Sequence, residues 1–187
     1  NFGDYRFYEH FGPYFYSVDL PGTRLIFLDS TGKTPYQWQI HWLHSVLSAK
    51  DVSHTILFIA HPLWPVQQEP WYAQDEDYLQ HKQFRQQLTE LIDRYSVELI
   101  FSSGLPLYDE QQHHNSRYIV TGGAGGLVVN DETSFYHYVR VDVSPDQVTT
   151  TLVPLEIGQH PLLKKLESFW FFIYSLFYVG WLNFVLL

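Results

Sequence analysis

The sequence predicts an α/β fold with mixed strand pairing, and three observations carry that reading. Short β-rich runs alternate with amphipathic helical stretches. One run, Thr55–Ala60 (TILFIA), is continuously apolar, the pattern of a strand buried on both faces. Two further β-rich runs close the globular part as a hairpin. Alternating strands and helices that end in hairpins imply a layered α/β protein.

Each element has its own signal. Tyr14–Leu20 (YFYSVDL) and Arg24–Asp29 (RLIFLD) flank Pro21-Gly22, a turn dipeptide, and read as a hairpin. From Pro35 to about Ala49, Trp38, Trp42, Leu43, Val46 and Leu47 recur at helical spacing. The strand Thr55–Ala60 stops at His61-Pro62, and Pro62, Pro65 and Pro70 hold a loop through Gln74. Gln80–Tyr95 carries Phe84, Leu88, Leu91 and Ile92 on one helical face. Val97–Phe101 reads as a strand, Ser102–Ser116 as a polar loop, and Arg117–Thr121 as a strand running into Gly122–Gly126. Phe135–Val143 and Gln147–Pro154 form the final hairpin around Ser144-Pro145-Asp146.

Composition narrows the function classes. The 187 residues carry a formal charge of −9 with no basic run, which argues against binding a nucleic-acid backbone. The absence of cysteine excludes disulfides, thiolate zinc sites and cysteine nucleophiles, and leaves the redox compartment open. With 45% hydrophobic and 17% charged residues, the chain is not wholly disordered. A chain that opens on Asn1 rather than Met is expected to be processed, trimmed or a fragment.

The C-terminal stretch differs from the rest. Phe169–Leu187 (FWFFIYSLFYVGWLNFVLL) holds no charge and is rich in aromatics. At about 1.5 Å per residue it reaches roughly 28 Å, near the hydrocarbon thickness of a bilayer. Trp170, Tyr174, Tyr178 and Trp181 are aromatics of the kind that settle at membrane interfaces. A transmembrane helix over 169–187 is therefore expected, with a buried core helix as the alternative. Lys164 and Lys165 precede it and favour a cytoplasmic globular part.

Five segments carry a family resemblance: YFYSVDLPGTRLIFLDST, QWQIHWL, TILFIAHPLW, HKQFRQQLTELIDRYSVELIFSSGLPLYDE and RYIVTGGAGG. In this order and at this spacing they resemble the second half of a calcineurin-like metallophosphoesterase. The resemblance implies a four-layer α/β/β/α sandwich, of which residues 1–160 would form the C-terminal part. Residues 161–168 would be a basic juxtamembrane linker before the membrane helix. It also implies an active site at the strand ends, where two divalent metals (Fe, Mn or Zn) held by Asp, His and Asn clamp a phosphoester. The family's Asp-x-His, Gly-Asp-x-x-Asp and Gly-Asn-His motifs precede the hairpin, and none occurs in these residues.

The ligand positions that fall within the chain are altered. The family's His, two residues before the proline of the His-His-Pro turn, corresponds to Ala60. His61 lies one residue later and stays the candidate metal ligand, against a role in hydrogen bonding to the backbone. The Gly-His-x-His ligands fall on Gly104 and Pro106 without gaps, or on Leu105 and Leu107 in the shifted register. None of these offers a lone pair to a metal.

Other candidates are weaker. His113-His114 in the polar loop, the acidic run Asp75-Glu76-Asp77, and His41 and His44 on one helix face read as solvated or packing groups. Asp29 reads as a turn or cap residue. Gly122–Gly126 lacks the lysine of a phosphate-binding loop and reads as tight backbone turns. No Gly-x-Ser-x-Gly signature is present.

Three functional expectations follow. The first is a membrane-anchored protein of the metallophosphoesterase family, a phosphoester hydrolase by resemblance but catalytically impaired at Ala60, Gly104 and Pro106. The second is an active metal-dependent phosphoesterase that uses upstream ligands plus His61. The third is a non-catalytic interaction domain of a membrane complex.

Overall fold

A computed structural model describes residues 10, 12–49, 51–124, 128, 132–155, 162, 165–166, 168–174 and 177. The chain divides into two compact units, Asn1–Leu155 and Glu156–Leu187.

Unit one is built on a six-stranded sheet. Strands β1 (Tyr16–Leu20) and β2 (Thr23–Leu28) form the hairpin that Pro21-Gly22 predicts, with Leu20 opposite Thr23. Gly22 turns the chain at φ 73°, a left-handed conformation that glycine adopts without strain. Helix α1 (Tyr36–Ser48) crosses to β3 (His54–Ile59). Helix α2 (Lys82–Tyr95) crosses to β4 (Leu99–Ser102). Strands β5 (Tyr108–His113) and β6 (Ser116–Thr121) complete the sheet in the order β1-β2-β3-β4-β6-β5. The pairs β2–β3, β3–β4 and β4–β6 are parallel, and both edges are antiparallel. A second, two-stranded sheet pairs β7 (His137–Val143) with β8 (Val148–Pro154).

Helix ends follow local chemistry. At the start of α1, the Pro35 carbonyl accepts from Trp38 N and Gln39 N. The His81 side chain caps α2 by accepting from Phe84 N at 3.0 Å. Ser96, at φ 51°, ends α2 in the left-handed conformation, and its N–H donates to the Asp93 and Ile92 carbonyls.

Alternation along the strands separates two cores. Ile26, Leu28, Leu57, Ile59, Ile100 and Val120 face Ile40, Leu43 and Leu47 of α1 and Phe84, Leu88, Leu91 and Ile92 of α2. The opposite face carries Ile56, Leu99, Phe101 and Ile119, packed with Val139, Val141 and Val148 of the β7–β8 hairpin. β3 is thus covered on both sides, which is why its sequence shows no polar alternation. The layers are helices, a sheet and a hairpin. The hairpin side of the sheet's second face is buried, and its β1 edge is exposed.

That second face also carries a ladder of rings. Tyr16, Phe27, Phe58 and Phe101 occupy one register across β1 to β4. Their centroids lie 4.7, 4.7 and 5.3 Å apart, each pair stacked. On the same face of β1, Tyr16, Val18 and Leu20 are exposed.

Strand β5 corrects one sequence expectation. Tyr108–His113 lies inside the stretch read as a polar loop. It pairs with β6 over its whole length, from Tyr108 opposite Thr121 to His113 opposite Ser116. An edge strand gains its stability from the ladder with its neighbour, so polar residues such as Asp109, Glu110, Gln111 and Gln112 are compatible with it.

In unit two, residues 168–174 are helical. Phe169, Trp170, Phe171, Phe172 and Tyr174 are all exposed. Among the described residues no helix is long and apolar enough to cross a membrane. Residues 178–187, Lys164 and Gly125–Gly126 lie outside the described residues, so the span expected over 169–187 is described only in its first part.

Candidate functional site

The parallel strands β2, β3 and β4 all end at one edge of the sheet, where α/β proteins place their ligand sites. Three turns meet there: Asp29-Ser30 after β2, Ala60-His61 after β3, and Ser103-Gly104 after β4.

Asp29 is occupied on every polar atom. Its carboxylate accepts from Thr31 N at 2.8 Å, Thr31 Oγ1 at 2.6 Å and Thr34 N at 2.9 Å. Its backbone N–H donates to Gln39 Oε1, and its carbonyl accepts from Gln39 Nε2, both at 2.9 Å. Gln39 is fully buried, so this amide ties α1 to the end of β2. Asp29 is the turn residue the sequence suggests, with its lone pairs committed inside the loop.

His61 stands at the end of β3 against Ser30. Its Nδ1 lies 2.7 Å from Ser30 Oγ, and its backbone N–H donates to the same oxygen at 3.1 Å. The partner is thus a side-chain hydroxyl rather than the backbone. Ser30 is buried.

The structure brings Ala60 and Gly104 together. Ser103 N donates to the Ala60 carbonyl at 3.0 Å. A Cβ added at Gly104 would lie 2.9 Å from Pro62 Cδ, 3.1 Å from the Ala60 carbonyl oxygen and 3.2 Å from the Asp77 carbonyl oxygen. The place of a longer side chain is therefore filled by a rigid ring and two carbonyls. Leu105 and Leu107 are almost fully buried in the helix-side core and point away from any solvent-facing site.

The glycine-rich turn after β6 is equally closed. A Cβ at Gly122 would fall inside the Leu105 carbonyl, and one at Gly123 inside the His137 ring. His137 is fully buried. Its Nδ1 lies 2.7 Å from the Phe135 carbonyl and its Nε2 lies 3.0 Å from Thr121 Oγ1. A carbonyl only accepts, so Nδ1 carries a proton and donates it to the Phe135 carbonyl. The sequence reading did not single out His137, because a lone histidine on a strand has no local signature.

The remaining candidates are spread over the surface. His113 stacks on Trp64 with centroids 4.1 Å apart and planes 11° from parallel, and burial lowers its affinity for a proton. His114 pairs with Asp93 at 3.0 Å. Asp75–Asp77 form one 3-10 turn closed by a Gln74–Asp77 capping box. His44 Nε2 lies 3.2 Å from the Tyr95 hydroxyl on the outer side of the helices, and His41 is exposed.

Among the described residues, no group of three or more His, Asp or Glu is placed to hold a metal ion. The strand-end residues of this chain therefore do not fit a two-metal centre. Ala60 and Gly104 carry no side-chain donor, and a Cβ at Gly104 would crowd Pro62 and two carbonyls.

No family model matches the chain and no curated protein matches it. Solved structures do. The purple acid phosphatase PPD1 from yellow lupin (Lupinus luteus) seeds superposes with a TM-score of 0.54 at 15% identity, covering 79% of this chain and 31% of that one. GAP50, the anchor in the inner membrane complex of Plasmodium, superposes with a TM-score of 0.56 at 17% identity, covering 78% of this chain and 50% of that one. The chain therefore spans half or less of the length of either structure.

Proposed function

From the metallophosphoesterase-like fold as premise, we propose that this chain is a membrane-attached, catalytically silent member of that structural class, acting as an interaction scaffold. The observation that carries the reading is the meeting of Ala60 and Gly104 at the strand ends, where a Cβ at Gly104 would crowd Pro62. A two-metal hydrolase needs donors there, and alanine and glycine supply none. The fold keeps its packing while the exposed strand-end positions Ala60 and Gly104 carry no side-chain donor.

Metal analysis together with turnover tests this. The intact chain is expected to hold no stoichiometric Fe, Mn or Zn and to leave an aryl phosphodiester unhydrolysed. Near-stoichiometric metal with hydrolysis that a chelator abolishes would sink the reading. The active alternative draws on His61 and on ligands upstream of the hairpin. It requires His61 to exchange its Ser30 contact for a metal, and phosphoester turnover lost in His61→Ala would establish it.

Membrane attachment rests on unit two. The five exposed aromatics of 169–174 lie all around a helix, since successive residues turn by about 100°. An apolar surface on every side needs lipid or other chains around it. GAP50, a membrane-complex anchor, is similar in fold. The full chain is expected to float with phospholipid vesicles, with the globular part on the cytoplasmic side as Lys164 and Lys165 favour. A variant lacking Phe169–Leu187 should stay in the soluble fraction. Equal flotation of both would overturn the attachment.

A further inference from the structure

The outer face of α2 has no catalytic part, yet it is shaped for a partner. Lys82, Arg85, Gln86, Thr89, Glu90 and Asp93 recur at three- and four-residue spacings that bring them onto one stripe. That stripe walls a groove of about 580 Å³ whose other wall is Leu63, Trp64 and Pro65. The size falls within the range of roughly 300–1,000 Å³ usual for ligand sites.

Two features single this groove out. First, Trp64 is fixed: it stacks on His113 at 4.1 Å and meets Tyr118 edge-on at 4.9 Å, offering a rigid aromatic wall. Second, the charges are sorted along the helix. Lys82 and Arg85 stand in its first half, and no ion pair joins either to an acidic group among the described residues. Arg85 is half-buried in the groove wall. Glu90 and Asp93 stand in the second half. Among the described residues Glu90 accepts from the neutral Gln86 amide, while Asp93 pairs with the exposed His114. The helix dipole adds positive potential at the lysine–arginine end.

We propose that this groove docks a short extended peptide carrying an acidic residue and, about four residues away, a basic one, with an apolar side chain between them against Trp64. The spacing follows from geometry. The midpoints of the two charge pairs lie about 12 Å apart along α2 at 1.5 Å per residue. An extended peptide covers that distance in about four residues at roughly 3.3 Å each. The peptide's carboxylate meets Lys82 and Arg85, and its cation meets the Glu90–Asp93 pair. The site is independent of the strand-end turns, so it stands whether or not those turns bind metal.

The test uses the full chain in detergent and a fluorescein-labelled peptide, Gly-Asp-Ala-Leu-Ala-Lys-Gly. Anisotropy should report saturable binding that weakens as salt rises. Lys82→Glu with Arg85→Glu should weaken binding at least about tenfold, and a peptide with Lys in place of Asp should restore it to that variant. Lys82 is exposed and Arg85 half-buried, and circular dichroism checks the fold of the variant. A peptide with the two charges adjacent should bind at least about tenfold more weakly than the spaced one. No saturable binding up to about 1 mM would overturn the proposal. So would binding indifferent to the charge reversal, or displacement by inorganic phosphate at constant ionic strength, which would make the groove a plain anion site.

Discussion

At the scale of single residues, the clearest consequences come from buried polar groups and closed backbone positions. His54 is buried, with Nδ1 2.6 Å from Glu98 Oε2 and Nε2 2.8 Å from the Ser144 carbonyl. Both partners accept, so both ring nitrogens carry protons and the ring is an imidazolium. The Glu98 hydrogen bond raises its pKa above the ordinary histidine value, against the opposing effect of burial. Because the folded pKa is the higher one, this stabilisation is complete below the unfolded value of about 6.5 and is lost as pH rises through the folded value. The thermal midpoint should therefore fall over that interval, and His54→Gln should flatten the profile. A wild-type profile as flat as the variant's would refute the charged pair. Gly123 makes a second case. Gly123→Ala puts a methyl into the His137 ring and should cost about 1–3 kcal/mol in chemical denaturation. Gly104→His meets Pro62 and should also destabilise rather than create metal affinity, as titration with zinc would report.

At the scale of elements, β3 and α1 do most to hold the strand ends in place. β3 contributes Leu57 and Ile59 to one core and Ile56 and Phe58 to the other. Leu57→Ala is expected to cost about 2–5 kcal/mol in denaturant unfolding, since Leu57 is fully buried between the sheet and the helices. α1 is pinned by one amide. Gln39→Leu leaves the Asp29 N–H and carbonyl without their partner and should cost about 1–3 kcal/mol despite the gain in hydrophobicity. These elements were legible in the sequence because their periodicities are strong: TILFIA has none of the alternation of a half-exposed strand, and Phe84, Leu88, Leu91 and Ile92 fall on one helical face. β5 was not legible. Its residues are polar, and its pairing with β6 is a long-range ladder that leaves no local hydrophobic signal.

At the scale of the whole molecule, the second face of the sheet decides what remains exposed. The β7–β8 hairpin covers Leu99, Phe101 and Ile119, but β1 presents Tyr16, Val18 and Leu20 to solvent at 38%, 41% and 49% exposure. An apolar edge strand beside stacked rings is a surface that favours association. Val18→Thr with Leu20→Thr should lower self-association in sedimentation experiments while changing stability by no more than about 0.5 kcal/mol per site. A large loss of stability instead would mean that these side chains are already packed.

The order of strands and helices, the hairpin at Pro21-Gly22 and the apolar tail follow from local pattern, because turn residues and periodicity act over a few neighbours. The absence of metal-donating side chains at Ala60 and Gly104 was equally readable, since it depends only on residue type. Tertiary structure alone decided that those two positions touch, that Pro62 crowds Gly104, that His61 turns to Ser30, and that His54 meets Glu98. Each of these joins residues far apart in the chain, and their distances are set by strand register and turn geometry rather than by any neighbouring sequence.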